Sequence, residues 1–199
     1  MKRLWAVLVA GCMVGAALGG VTGNEYPNGI EGLDAATVPP AGLYLRSYNF
    51  FYHADRLNDR DGDDVGAGFN VRVLASAQRV IWVTDMKVLG GDYAMDAIIP
   101  FIYTDIDVKA AGVDDEVFRL GDIFLEPIVL AWHGDRWDAA VGLAAVAPTG
   151  CYDDRHPGMP GKNAWSGMLS LGGTYYFDQE KSWSASILGR YETHAKNMA

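Results

Sequence analysis

Cysteine occurs only twice in the 199 residues, at Cys12 and Cys151. Cys12 lies in an amino-terminal segment that reads as removed on export, which leaves Cys151 alone and excludes an internal disulfide. Beyond residue 20 no apolar run approaches the ~18 residues of a spanning helix, so a membrane crossing would have to use strands closed into a barrel. Cations are scarce too: 16 Lys and Arg stand against 25 Asp and Glu, and the formal charge of −9 excludes a nucleic-acid binder. No Gly-x-Ser-x-Gly elbow, His-Glu-x-x-His pair or phosphate-cradling glycine loop is present. His53, His133 and His194 fall on strand-like segments at no catalytic spacing, and nothing implies a cofactor.

What is present begins with an export signal. Met1-Lys2-Arg3 precedes an apolar run over residues 4–18, with small residues at Ala17, Gly19 and Gly20. The pattern predicts a signal peptide over residues 1–20, because the run is too short for a spanning helix. Val9-Ala10-Gly11-Cys12 also resembles a lipoprotein cleavage box, although the apolar stretch before Cys12 is very short. Residues 21–41 follow, rich in Gly, Pro, Asn and Asp and without periodicity. They read either as an ordered or semi-ordered arm ahead of the first strand, in the periplasm or in a barrel lumen, or as a loose tail.

From residue 42 onward the period is two. Tyr44, Arg46, Tyr48, Phe50 and Tyr52 share one parity of the first strand. In residues 68–84, Phe69, Val71, Val73, Ala75 and Ala77 oppose Asn70, Arg72, Ser76 and Gln78. Residues 93–107 carry Met95, Ala97, Ile99, Phe101 and Tyr103 against Asp96 and Thr104, with Pro100 interrupting. Further strands are expected over 120–133, 137–147, 165–177 and 183–194. The first strand alone would suit a soluble sandwich as well as a membrane wall. The connections favour the wall: long at 55–66, short at 87–92, long at 109–119, short at 134–135, long at 148–163, short at 178–182. Outer-membrane barrels alternate in this way, with long loops outside and short turns in the periplasm. The expectation is an all-β antiparallel transmembrane barrel of outer-membrane type over residues 42–199. Seven strands is an odd number, so the chain is expected to be the amino-terminal part of a larger barrel.

Five blocks carry a family resemblance. They are Tyr26-Pro27-Asn28-Gly29 to Gly42-Leu43-Tyr44, Tyr52-His53-Ala54-Asp55-Arg56-Leu57-Asn58-Asp59, Val88-Leu89-Gly90-Gly91-Asp92-Tyr93, Gly121-Asp122-Ile123-Phe124-Leu125-Glu126-Pro127 and Ala147-Pro148-Thr149-Gly150. In this order they resemble the meta-pathway phenol-degradation family. The resemblance implies an outer-membrane barrel associated with the use of aromatic compounds and suspected of carrying them inward. It also implies further strands after Arg190-Tyr191-Glu192.

Polar residues on the parity opposite the apolar sets are the candidates for a lumen lining: Asn49, Arg72, Gln78, Asp96, Asp122, Glu126, Arg190 and Glu192. They would line a permeation path, or hold the barrel together as charge pairs. The acidic run 55–66 lacks the carboxylate spacing of a calcium loop, and Cys151, Asp153, Asp154 and His156 lack the paired spacing of a zinc site. No metal is assigned. The acidic loop instead suits an extracellular surface bridged by divalent ions to lipopolysaccharide. The expected function is passive uptake of hydrophobic or aromatic small molecules. A structural or adhesive surface barrel is the second reading and a barrel enzyme the third.

Overall fold

Why the chain makes long antiparallel strands follows from its residue periods, and a computed structural model shows how they assemble for residues 25–26, 31 and 35–198. The expected signal peptide lies outside the described residues, as does much of the arm. The strands are β1 (Gly42–Ala54), β2 (Phe69–Val88), β3 (Gly91–Val108), β4 (Val113–Leu120), β5 (Ile123–His133), β6 (Trp137–Ala147), β7 (Ser166–Tyr176) and β8 (Ser184–His194). A single 3-10 turn, Lys109–Ala111, joins β3 to β4. All pairings are antiparallel, in the order β1-β2-β3-β5-β6-β7-β8, and β4 pairs with the far half of β3. The result is a half-barrel wall.

Directly paired residues share a face, so the register identifies two surfaces across the whole wall. One passes through Arg46, Arg79, Ile98, Phe124, Val146, Ser166 and His194, each opposite the next. The other passes through Leu45, Val80, Ala97, Leu125, Ala145, Gly167 and Thr193. The first is the inner face, because the described arm residues pack on it: Tyr26 with Ile98, Phe124, Val146 and Met168, and Val38 beside Val83, Ala94 and Val129. Burying an aromatic ring such as that of Tyr26 contributes roughly 1.5–3 kcal/mol. The second face leaves Leu43 at 73 % and Ile187 at 77 % exposed, along with Trp82, Leu143 and Leu171. An apolar surface of this extent is what a membrane wall presents to lipid, whereas a water-soluble face would not carry it.

Three local features refine the reading of the sequence. Residues 109–119 are not a long loop: the chain turns at once and returns as β4, with Asp107 opposite Asp114 and Asp105 opposite Glu116. The carboxylates imitate a loop because this end of the sheet rises past the apolar band, where a strand edge can be charged. The β2–β3 connection is a short turn within 87–92, as expected, with Leu89 and Gly90 at its centre. Their φ angles of 51° and 79° match the left-handed pair that a two-residue hairpin turn needs. Pro100, which has no N–H to give, lies where β4 has ended and β5 has not begun; its carbonyl accepts from Gly121 N at 2.9 Å.

Candidate functional site

The inner face gathers its charges around Arg79. Its guanidinium reaches Glu31 Oε1 at 2.6 Å, Asp96 Oδ2 at 2.7 Å and Glu126 Oε2 at 3.2 Å. Arg79 Nη1 also donates to the hydroxyls of Tyr26 and Tyr48, each at 3.3 Å. The three carboxylates come from three places, the arm, β3 and β5, so one side chain of β2 ties the wall to the arm.

Two further guanidiniums complete the set. Arg46 Nη1 lies 2.9 Å from Glu31 Oε2, and Arg190 Nη2 lies 3.5 Å from Glu31 Oε1. Arg190 also stacks over the Tyr26 ring, 4.1 Å from its centroid, a cation–π contact that holds the arm from the far side of the wall. Arg46, Arg79 and Arg190 thus face Glu31, Asp96 and Glu126. Three guanidiniums meet three carboxyl groups, an arrangement in which no buried cation lacks an acidic partner. Gly142 makes the space, since a Cβ there would collide with Glu126 Oε1.

Glu31 and Tyr26 feel this field in opposite senses. Burial by itself would raise the Glu31 carboxyl, but the Arg79 cation, the Tyr26 hydroxyl bonded to it, and Arg190 and Arg46 outweigh burial and hold it below the usual range. Burial pushes the Tyr26 phenol well up despite Arg79, so it stays a neutral donor.

Smaller polar clusters fix the arm at the two ends of the wall. Near the short turns Asp138 accepts from Thr37 Oγ1 at 2.9 Å and Tyr176 OH at 2.7 Å, and His133 Nδ1 lies 2.9 Å away. Near the long loops Glu25 accepts from Ser166 Oγ at 3.0 Å and pairs with Lys162 at 3.2 Å, while its N–H donates to Glu192 at 2.9 Å.

Of the eight lumen candidates, Asp96, Glu126, Arg190 and Glu192 stand on the inner face. Asn49, Arg72 and Gln78 do not: they pair with Ser76, His53 and Ser47 on the outer face. The expectation took the apolar parity of β2 for the lipid side, whereas Val71, Val73 and Ala77 turn inward. Asp122 is a staple for the loop after β6, accepting from Gly150 N at 2.8 Å and Lys162 N at 2.9 Å. Arg79, Arg46 and Glu31 were missed. A signal existed for Arg79: over residues 69–83 it is the one charge on the parity of Phe69 and Ala77.

The residues weighed for metal binding have other engagements. Asp59 Oδ1 accepts the N–H groups of Asp61 and Asp63, at 2.9 and 3.0 Å, which closes the acidic turn. His156 faces Asp115 on β4 at 3.3 Å, and Asp153 accepts from Arg155 N at 3.0 Å.

Comparison with known proteins follows from this architecture. The fold is similar to that of an outer membrane channel from Pseudomonas putida F1, with a TM-score of 0.70 at 17 % sequence identity. The match covers 83 % of this chain and 60 % of that one, so the chain spans about three fifths of the solved channel's length. No curated protein matches the sequence. Residues 54–199 match the model of the family described as "Putative MetA-pathway of phenol degradation", and the chain belongs to that family.

Proposed function

We propose that the chain builds part of an outer-membrane channel for the passive uptake of hydrophobic or aromatic small molecules. The observation that carries this reading is the opposition of the two faces: an apolar band outside, and inside a cluster of arginines and carboxyl groups that links three strands to the described arm residues. That opposition suits a wall between lipid and an aqueous path. The neighbouring channel fold and the family's association with phenol degradation support both the location and the solute class.

The described arm residues pack on the inner face. The space between them and the wall, lined by Glu31, Thr37, Arg79, Asp96, Glu126 and Arg190, holds about 100 Å³. Small-molecule sites usually offer 300 Å³ or more, so a path along this part of the wall would open by a shift of the arm, of which Glu31 is one tie beside Glu25 and Thr37. Asp96 and Glu126 are both held by Arg79 and so serve here as part of the contact between wall and arm. The exposed acidic turn around Asp59 suits contact with lipopolysaccharide through divalent ions.

The test is flux. Full-length protein folded into liposomes should admit phenol to an enclosed reporter faster than empty liposomes do. A tight bilayer, with the protein shown to be folded by heat-modifiable migration, would favour a structural or adhesive barrel instead.

A further inference from the structure

The outer face carries four uncharged polar side chains in one hydrogen-bonded group across β1 and β2. Ser76 Oγ donates to Asn49 Oδ1 at 2.9 Å, and Gln78 Nε2 donates to Ser47 Oγ at 2.9 Å and Ser76 Oγ at 3.0 Å. Asn49 Nδ2 donates to Ser47 Oγ at 3.3 Å. The register sets the group within the apolar band, one apolar pair short of its edge at His53 and Arg72. Toward the short turns the next outward pairs are Leu45 with Val80 and Leu43 with Trp82; toward the long loops the next is Phe51 with Leu74. Polar side chains at that depth are costly in hydrocarbon and are commonly functional. Among the described residues they share no hydrogen bond with the arm or with the Arg79 cluster.

Beside the group lies a groove of about 400 Å³, walled chiefly by Phe51, Leu74, Phe101 and Phe118, with Asn49 and Ser76 among its lining. Its volume falls within the range of small-molecule sites, and its make-up, apolar walls with a few polar groups, is the usual one. The Asn49 amide has two N–H donors, one of them directed at Ser47, so a second is available to an occupant. An acyl chain could fill the aromatic walls but would leave that N–H unmatched in hydrocarbon. A ring bearing a hydroxyl satisfies both. We infer that the groove is a membrane-side binding site for a hydroxylated aromatic small molecule taken from the bilayer. The inference rests on the outer-membrane reading above and adds to it a place where the solute is held before or after it crosses.

The experiment uses full-length protein in proteoliposomes and two photoreactive probes, 4-hydroxybenzophenone and benzophenone, with labelled peptides mapped by mass spectrometry. The hydroxylated probe should label the Phe51 and Phe118 segments at least tenfold more than benzophenone does, and phenol should compete. Asn49→Leu should abolish the preference between probes, and Phe118→Ala should weaken labelling by both, with heat-modifiable migration kept in each variant. Equal labelling by the two probes would overturn the site, because the groove would then hold any apolar matter, lipid chains included. Labelling confined to the inner face would overturn it as well. Phenol flux measured on the same liposomes separates the two readings. Hydroxyl-dependent groove labelling without flux keeps the site and removes the uptake reading, whereas flux without groove labelling removes the site alone.

Discussion

Glu31 and Arg79 meet at 2.6 Å on the inner face, joining an arm residue to the centre of β2 across 48 positions of sequence. The same arginine holds Asp96 and Glu126, so the arm shares its anchor with two wall strands. What happens to the arm and what happens to the wall are therefore separable by mutation.

Glu31→Gln keeps the size of the side chain and removes its charge. Arg79 retains Asp96 and Glu126, so the wall should stay folded while the arm loosens, at a cost of about 1–3 kcal/mol for a charge-assisted contact. Phenol flux should rise and the arm should be cut faster in limited proteolysis. Unchanged proteolysis of the arm would show that Glu31 is not among its ties.

Arg79→Met leaves Asp96 and Glu126 buried together without their cation. Breaking a buried ionic group from one side costs about 3–5 kcal/mol, and the variant should lose its heat-modifiable band at a lower temperature than the parent. Combining it with Asp96→Asn and Glu126→Gln should recover much of the loss, since the uncompensated charges are then gone. Failure of that rescue would mean that Arg79 matters for packing alone.

Acid should release the arm. The Glu31 carboxyl is held below its ordinary value, so its contribution to docking is complete above the unfolded value, about 4.3, and is lost as pH falls through the lower folded one. Flux and arm proteolysis should both increase below about pH 4.3 in the parent. Glu31→Gln should show that increase at neutral pH and little further change on acidification.

Facing can be read directly by cysteine labelling in a background where Cys151 is replaced by Ser. Gln78→Cys should react with a membrane-soluble maleimide and resist a water-soluble one, because position 78 lies on the lipid side opposite Ser47. Fast reaction with the water-soluble reagent would place β2 the other way round.

Much of the wall was legible in the chain. The period of two, the aromatic residues and the short turns after β2, β5 and β7 define antiparallel strands whose lengths suit a membrane, since each of these is a local property of consecutive residues. β4 was hidden for a physical reason: Asp114, Asp115 and Glu116 are tolerated on a strand once it leaves the apolar band, so charge density there does not distinguish a strand from a loop.

Alternation by itself determined that Asn49, Arg72 and Gln78 oppose the apolar parity of their strands; it could not determine which parity points inward. A period of two defines two faces without a sign. The sign is decided by what each face meets, and that depends on pairing across the sheet: Arg79 opposite Ile98, and beyond it the carboxylates of β3, β5 and the arm. Only the tertiary structure brings Glu31, Asp96, Glu126 and Arg190 within reach of one guanidinium or one another, because residues so far apart in sequence become neighbours through strand register alone.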